Sequence, residues 1–290
     1  MVANNKVSIT FTENSLLSIM KFLQKIFQPT SISACLMVAS LAVIAKDAKS
    51  QTLSACPASG IEDFSPNYTS GCYGTPDVYG VTFFEMGLCT ADPMASGTFD
   101  RSTCTATFKD SGGLYKNIAG ATVTLGAGTG EKPANGEYSY AYGLLSNVFT
   151  IKGSYTTTGG TGATYYTISD FVSGTSNVNT TGPAVEIEDT LTSFGSSCTT
   201  KGSETFGNGS MTAYVLDSSL SVATGCTGVS KLLGYMTLNS PIEITDNTAG
   251  LQMTFKVTNS GMTVSPNSGT TTQVAALGNG PFSVQFTVFE

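Results

Sequence analysis

In Leu251-Gln252-Met253-Thr254-Phe255-Lys256-Val257-Thr258, apolar and polar side chains alternate without a break. A period of two puts Leu251, Met253, Phe255 and Val257 on one face and Gln252, Thr254, Lys256 and Thr258 on the other, which describes a β-strand with one buried and one wet face. Near the C-terminus the pattern recurs, with Phe282, Val284, Phe286 and Val288 facing one way and Ser283, Gln285 and Thr287 the other. Tyr138, Tyr140 and Tyr142 form a third alternating run that continues into Phe149 to Ile151. Two hairpins are predicted. One joins Ile242–Thr245 to the strand from Leu251 through Asp246-Asn247-Thr248-Ala249-Gly250; the other runs from Tyr155 to Tyr166 and turns at Gly159-Gly160. No stretch after residue 50 carries apolar residues at spacings of three and four over a helical length, so any helix is short. The expected fold is all-β: an antiparallel β-sandwich, jelly-roll-like, stapled by disulfides.

Turn formers cluster from Gly126 to Pro133. They mark a boundary between a cysteine-rich β region, 51–130, and a C-terminal sandwich region, 131–290, which are either two β subdomains or one domain with a long loop. The same segment lacks the Gly-Lys-Ser/Thr ending of a phosphate-cradling loop, because Lys132 stands between Glu131 and Pro133.

Upstream lies a targeting signal. Ala34 to Ala45 (ACLMVASLAVIA) is apolar except for Ser40, and its twelve residues fall short of the roughly 20 a helix needs to cross a bilayer. Lys21 and Lys25 precede it, and Ala48-Lys49-Ser50 supplies small residues at −3 and −1, so cleavage is expected before Gln51. Met20 opens MKFLQKIF, a normal start for such a signal, and is the expected true start within a 1–50 leader plus signal peptide. Leu53-Ser54-Ala55-Cys56 matches a lipoprotein box, but Lys46 to Thr52, with three charges, separates it from the apolar stretch. The expected destination is periplasmic, cell-surface or extracellular, with no transmembrane span.

The cysteines agree with export. Cys35 leaves with the signal, and Cys56, Cys72, Cys89, Cys104, Cys198 and Cys226 remain, an even set that reads as a disulfide framework. Fifteen pairings exist in principle; proximity favours Cys56 with Cys72, Cys89 with Cys104, and Cys198 with Cys226. Zinc is excluded by spacing, since no Cys-x-x-Cys occurs and the chain has no histidine. Residues 1–50 carry five lysines and two acidic groups, so the remainder has 8 Lys+Arg against 18 Asp+Glu, net −10. Such a surface repels phosphate backbones, which argues against nucleic acid as a partner.

Absence shapes the catalytic search. Without histidine, Ser-His-Asp and Cys-His chemistry and His-ligated metal centres are closed, and no lysine after residue 50 follows a serine by three. Carboxylates remain: Glu186 and Glu188 in VEIEDT would share a strand face and could mimic a glycosidase pair, against the simpler reading of a solvated face. Asp246 and Asn247 could donate oxygens to calcium, but no calcium-loop pattern is present. No metal and no cofactor are expected. Tryptophan is absent, so a sugar platform would rest on Tyr138, Tyr140 and Tyr142, with Tyr165 and Tyr166 close in sequence. Asn67-Tyr68-Thr69, Asn179-Thr180-Thr181 and Asn208-Gly209-Ser210 match the glycosylation acceptor pattern. An outer-membrane barrel would share the alternating strands, but six cysteines are unusual for one.

The stretch YGVTFFEMGLCTADP (Tyr79 to Pro93), the following STCTATF with Cys104, and GEYSYAYGLLSNVFTIKGSY (Gly136 to Tyr155) resemble exported, disulfide-containing, β-rich structural proteins of marine bacteria and marine viral particle fractions. The resemblance implies a surface or particle-forming role and carries over no catalytic residue. The leading expectation is therefore a non-enzymatic structural protein that assembles into a surface layer, filament or particle, with itself or other surface proteins as partners. Its assembly element is the terminal strand bearing Phe282, Val284, Phe286 and Val288, which can pair within its own sheet or complete a neighbour's. An adhesin or glycan-binding β domain using the tyrosines is the second expectation, and a secreted glycoside-processing enzyme using Glu186 or Glu188 the third.

Overall fold

The computed structural model describes Ser8–Ile9 and residues 53–119, 123–125, 128–170, 176–194, 198–206 and 209–290. The signal segment Ala34–Ala45, Met20 and the cleavage point before Gln51 lie outside the described residues. The fold is all-β, with mostly antiparallel sheets and no helix among the described residues.

One eight-stranded sheet forms the larger layer, in the order Ile187–Thr190, Val148–Lys152, Val78–Cys89, Gly136–Ser146, Lys231–Ile244, Gly209–Leu216 and Lys201–Phe206, with Cys104–Asn117 on the far side of Val78–Cys89. Gly136–Ser146 and Val148–Lys152 are interrupted only at Asn147 and both pair with Val78–Cys89. The buried Asn147 side-chain amide donates to Leu191 O at 3.1 Å, and the Asn147 backbone carbonyl accepts the Leu191 N–H at 2.7 Å, so the interruption leaves these groups satisfied. Strands from both sides of the 126–133 segment thus share one sheet, and that segment runs beside Cys104–Asn117 through Thr129 N–H to Lys109 O and Glu131 N–H to Ala106 O. Gly87 shows why the strands can approach there: a Cβ would sit 2.1 Å from Thr105 O, next to the register shift between Met86 and Gly87.

Facing this sheet is a ribbon of Gly250–Lys256 and Ser283–Phe289, paired antiparallel with Leu251 opposite Val288, Met253 opposite Phe286 and Phe255 opposite Val284. Ser8–Ile9 and Val123–Thr124 extend it beyond Gly250–Lys256. Leu251, Met253, Phe255 and Val257 are all buried, as are Phe282, Val284 and Phe286, so the alternation read from the sequence is the sandwich interface. Phe255 packs on Phe83 of the large sheet at 5.5 Å and on Phe282 at 5.4 Å, and Phe282 continues to Tyr79 at 5.8 Å and Phe149 at 6.2 Å. Each such ring contributes about 1.5–3 kcal/mol of transfer free energy on burial.

Two three-stranded sheets complete the fold: Cys72–Gly74 with Met262–Pro266 and Val274–Asn279, and Ser154–Thr157 with Ala163–Thr167 and Val178–Asn179. The hairpin turning at Gly159-Gly160 is present, with Tyr155 opposite Tyr165. The hairpin predicted between Ile242–Thr245 and Leu251 is not. Ile242–Ile244 stays in the large sheet against Gly136–Tyr138, whereas Gly250–Lys256 pairs with the terminal strand, so residues 245–249 carry the chain from one layer to the other. Crossing layers buries the apolar faces of both strands against each other; a hairpin in one sheet would leave them side by side.

The large sheet is apolar on both faces. Its outer face holds a second core, where Met94 and Phe99 of the 90–103 segment cover Tyr142, Leu144, Leu216, Leu233 and Tyr235. Cys56–Cys72, Cys89–Cys104 and Cys198–Cys226 are bonded, the pairs that proximity favours. The Cys56 sulfur is thereby committed to Cys72, which leaves no thiol for the lipid of the lipoprotein-box reading.

Candidate functional site

The terminal strand, Ser283–Phe289, is hydrogen-bonded along one edge to Gly250–Lys256, so its apolar face completes its own sandwich. Val288 departs from that face at 37 % exposure, and Thr287 is exposed. No described strand pairs with the outer edge of Ser283–Phe289.

The other edge strands of five or more residues are each guarded. Cys104–Asn117 carries Lys109, Asp110 and Lys116, two register shifts, and the 128–131 segment along part of its length. Lys201–Phe206 carries Lys201 and Glu204. Val274–Asn279 is capped by the buried Asn177, which donates to Leu277 O at 2.7 Å and accepts the Leu277 N–H at 3.0 Å, while Asp189 accepts the Asn279 N–H. Ser283–Phe289 has no charged residue and no proline. Charges, prolines, bulges and covering segments are the usual protections of a sheet edge, and among the described residues this strand has none of them.

The tyrosine stripe does not form one surface. Tyr138 is buried in the main core and donates its hydroxyl to Ala134 O at 3.0 Å, whereas Tyr140 and Tyr142 belong to the outer-face core. The strand's register shifts between Thr237 and Ile242 of its neighbour, which separates the two environments. Tyr142 is fully buried. Tyr140, Tyr214 and Tyr235 form an aromatic group on the outer face, with Tyr214 and Tyr235 parallel at 6.4 Å and Lys201 over Tyr214 at 5.3 Å. Burial and the neighbouring Asp92 raise the Tyr235 hydroxyl well above the usual phenol range. Tyr165 and Tyr166 are half-buried in the small hairpin sheet.

Glu186 precedes the Ile187–Thr190 strand and Glu188 lies within it; both are exposed, on either side of the buried Ile187, as a solvated strand face requires. Glu188 is fixed through its backbone, whose N–H donates to Asp170 Oδ1 at 2.7 Å. Asp246 accepts a hydrogen bond from the Asn135 amide at 2.7 Å, and its carbonyl takes one from Lys132. Among the described residues no three Cys, Asp or Glu side chains converge as a metal site would require.

Two carboxylates that sequence reasoning passed over are removed from solvent and hydrogen-bonded to other strands or loops. Glu85, in the apolar run FFEMGL, is buried and held by Arg101, whose Nε reaches both oxygens at 3.0 Å and whose second donor reaches Oε2 at 2.9 Å; the Tyr142 hydroxyl donates to Oε1 at 2.7 Å. Arg101 also lies over the Phe99 ring at 4.5 Å, so the 90–103 segment is clamped by charge as well as by Cys89–Cys104. Asp189, half-buried, accepts the Asn279 N–H at 2.7 Å, and burial pushes its carboxyl up to about 6. A charged residue inside an apolar strand run was the sequence signal for Glu85; Asp189 looked like one more exposed acid.

Comparison with family models, curated proteins and solved structures finds no match for this chain.

Proposed function

We propose that this chain is an exported, non-enzymatic structural protein that assembles through the outer edge of Ser283–Phe289. The observation that carries this reading is the unguarded edge: seven residues without charge or proline, beside three other edges that are charged, bulged or capped. Strand addition at such an edge satisfies backbone donors and acceptors in another copy without disturbing the buried face. The three disulfides fit an oxidising compartment. No helix of the described residues is long and apolar enough to cross a membrane. The glycan-binding reading has less support, because its three tyrosines are divided between two cores.

The test places a charge on the edge strand without touching its buried face. Thr287→Lys and Val288→Lys should unfold at the wild-type temperature and lose concentration-dependent assembly in light scattering and negative-stain images. A wild-type protein that stays monomeric at millimolar concentration would overturn the reading, as would lysine variants that assemble normally.

A further inference from the structure

Ser8–Ile9 sits in the ribbon layer as a middle strand. It runs parallel to Gly250–Lys256, with Ser8 opposite Gln252, and antiparallel to Val123–Thr124, with Ser8 opposite Thr124 and Ile9 opposite Val123. The order across the layer is Ser283–Phe289, Gly250–Lys256, Ser8–Ile9, Val123–Thr124. In the sequence these two residues belong to Val7-Ser8-Ile9-Thr10-Phe11-Thr12, where apolar and hydroxyl side chains alternate without a charge. A parallel neighbour cannot be reached through a tight turn, so this strand is inserted from afar and is not a hairpin arm of Gly250–Lys256.

The exported chain is not expected to keep this strand. A start at Met20 and cleavage before Gln51 each leave it out. What remains is a gap inside a sheet, with Gly250–Lys256 on one side and Val123–Thr124 on the other. Neighbouring strands lie about 4.8 Å apart, so two strands that flanked a third stand about 10 Å apart. Such a gap admits one extended segment and is too narrow for the edge of a second sandwich, whose strands arrive side by side. A segment that enters pairs its backbone donors and acceptors on both edges, whereas addition at the outer edge of Ser283–Phe289 pairs only one.

We propose that Gly250–Lys256 and Val123–Thr124 bound a strand-acceptor slot, in which an extended polypeptide with apolar residues at every second position replaces Ser8–Ile9 and lies parallel to Gly250–Lys256. The strand seated there in this structure supplies both the pattern and the direction. From the exported reading the slot takes only the loss of residues 1–50; it does not depend on assembly through the outer edge of Ser283–Phe289.

The test uses the full chain carrying Val288→Lys, so that pairing at the outer edge is blocked, with a fluorescein-labelled peptide of residues 5–13 (NKVSITFTE) as the probe. Ser8→Pro with Ile9→Pro removes the N–H groups that a middle strand needs and opens the slot. The opened chain should bind the peptide saturably and at least about tenfold tighter than the chain with its own strand in place, which competes at the high local concentration of a tethered segment. Hydrogen exchange should show the amides of Gly250–Lys256 protected by the peptide, and a peptide with Ile9→Pro should not bind. A second route leaves the native strand intact: a protease site inserted after Asn14 is cut in the folded chain, and the labelled peptide should then exchange into the slot. Absence of saturable binding in both the opened and the cut chains, equal binding to the uncut chain, or protection confined to Ser283–Phe289 overturns the slot. Mapping the N-terminus of the product exported by a host cell tests the export premise separately. A product that retains Ser8 overturns the slot's vacancy in the exported protein, even where the opened chain binds the peptide.

Discussion

Tyr142 and Glu85 stand on adjacent strands and meet at 2.7 Å, the phenol donating to a carboxylate whose two oxygens Arg101 also holds. Glu85 is 4 % exposed and Arg101 39 %, so the pair has one desolvated and one partly solvated partner. Removing the arginine leaves a buried carboxylate with one phenol for company. Arg101→Ala should therefore cost about 2–4 kcal/mol in urea unfolding, less than a wholly buried pair because water already reaches the guanidinium. Glu85→Gln in the same chain should recover more than half of that loss. Additive losses in the double variant would show that Arg101 acts by packing on Phe99 instead.

The three disulfides close loops of similar length, with separations of 16, 15 and 28 residues, and each should stabilise by about 3–4 kcal/mol in the chain-entropy model. Their accessibility differs more than their loop lengths. Cys198 is exposed, whereas Cys89 and Cys72 are fully buried. Under limiting reductant, alkylation followed by mass spectrometry should find Cys198 and Cys226 modified first. Cys89–Cys104 should resist until the 90–103 segment opens, and its early loss would contradict the covered outer-face core.

The ribbon explains why truncation is a poor probe of assembly. Phe282, Val284 and Phe286 are buried against the large sheet, so deleting residues 281–290 removes core along with the edge. Phe255→Ala, at the contact of Phe83 with Phe282, should cost about 3–5 kcal/mol, and Phe255→Leu less than half as much. The truncated chain should lose its cooperative transition altogether. If it unfolds like the wild type, Ser283–Phe289 is not part of the sandwich.

What the sequence disclosed follows from the range of each interaction. Leu251 to Val257 and Phe282 to Phe286 were legible because a period of two is a local consequence of one buried face. The disulfide partners were legible because the shortest loops close most easily. The Ile242–Leu251 hairpin misled because a turn-rich loop looks the same whether the chain folds back in its own sheet or crosses to another. Tyr138, Tyr140 and Tyr142 shared a predicted face, and only the register shift opposite them sends Tyr138 into a different core. Glu85 and Arg101 are far from each other's local pattern, and pairing across a strand and a loop is set by the whole sheet. The guarded and unguarded edges were likewise invisible until strand order was known.

Asp189 carries the clearest pH dependence. Burial lifts its carboxyl from 3.8 to about 6, and only the Asn279 N–H at 2.7 Å pulls the other way. Between those two values the folded chain holds a proton that the unfolded chain has released, so stability falls as pH rises from about 4 through about 6 and then levels off. The span corresponds to roughly 3 kcal/mol at most, and to less where water reaches the half-buried carboxylate. Asp189→Asn keeps an acceptor for Asn279 and removes the titration. In urea unfolding across pH 4 to 7, the variant should match the wild type near pH 4 and gain on it steadily up to about pH 6.5. A difference between the two that does not change with pH would mean that Asp189 is solvated in the folded chain.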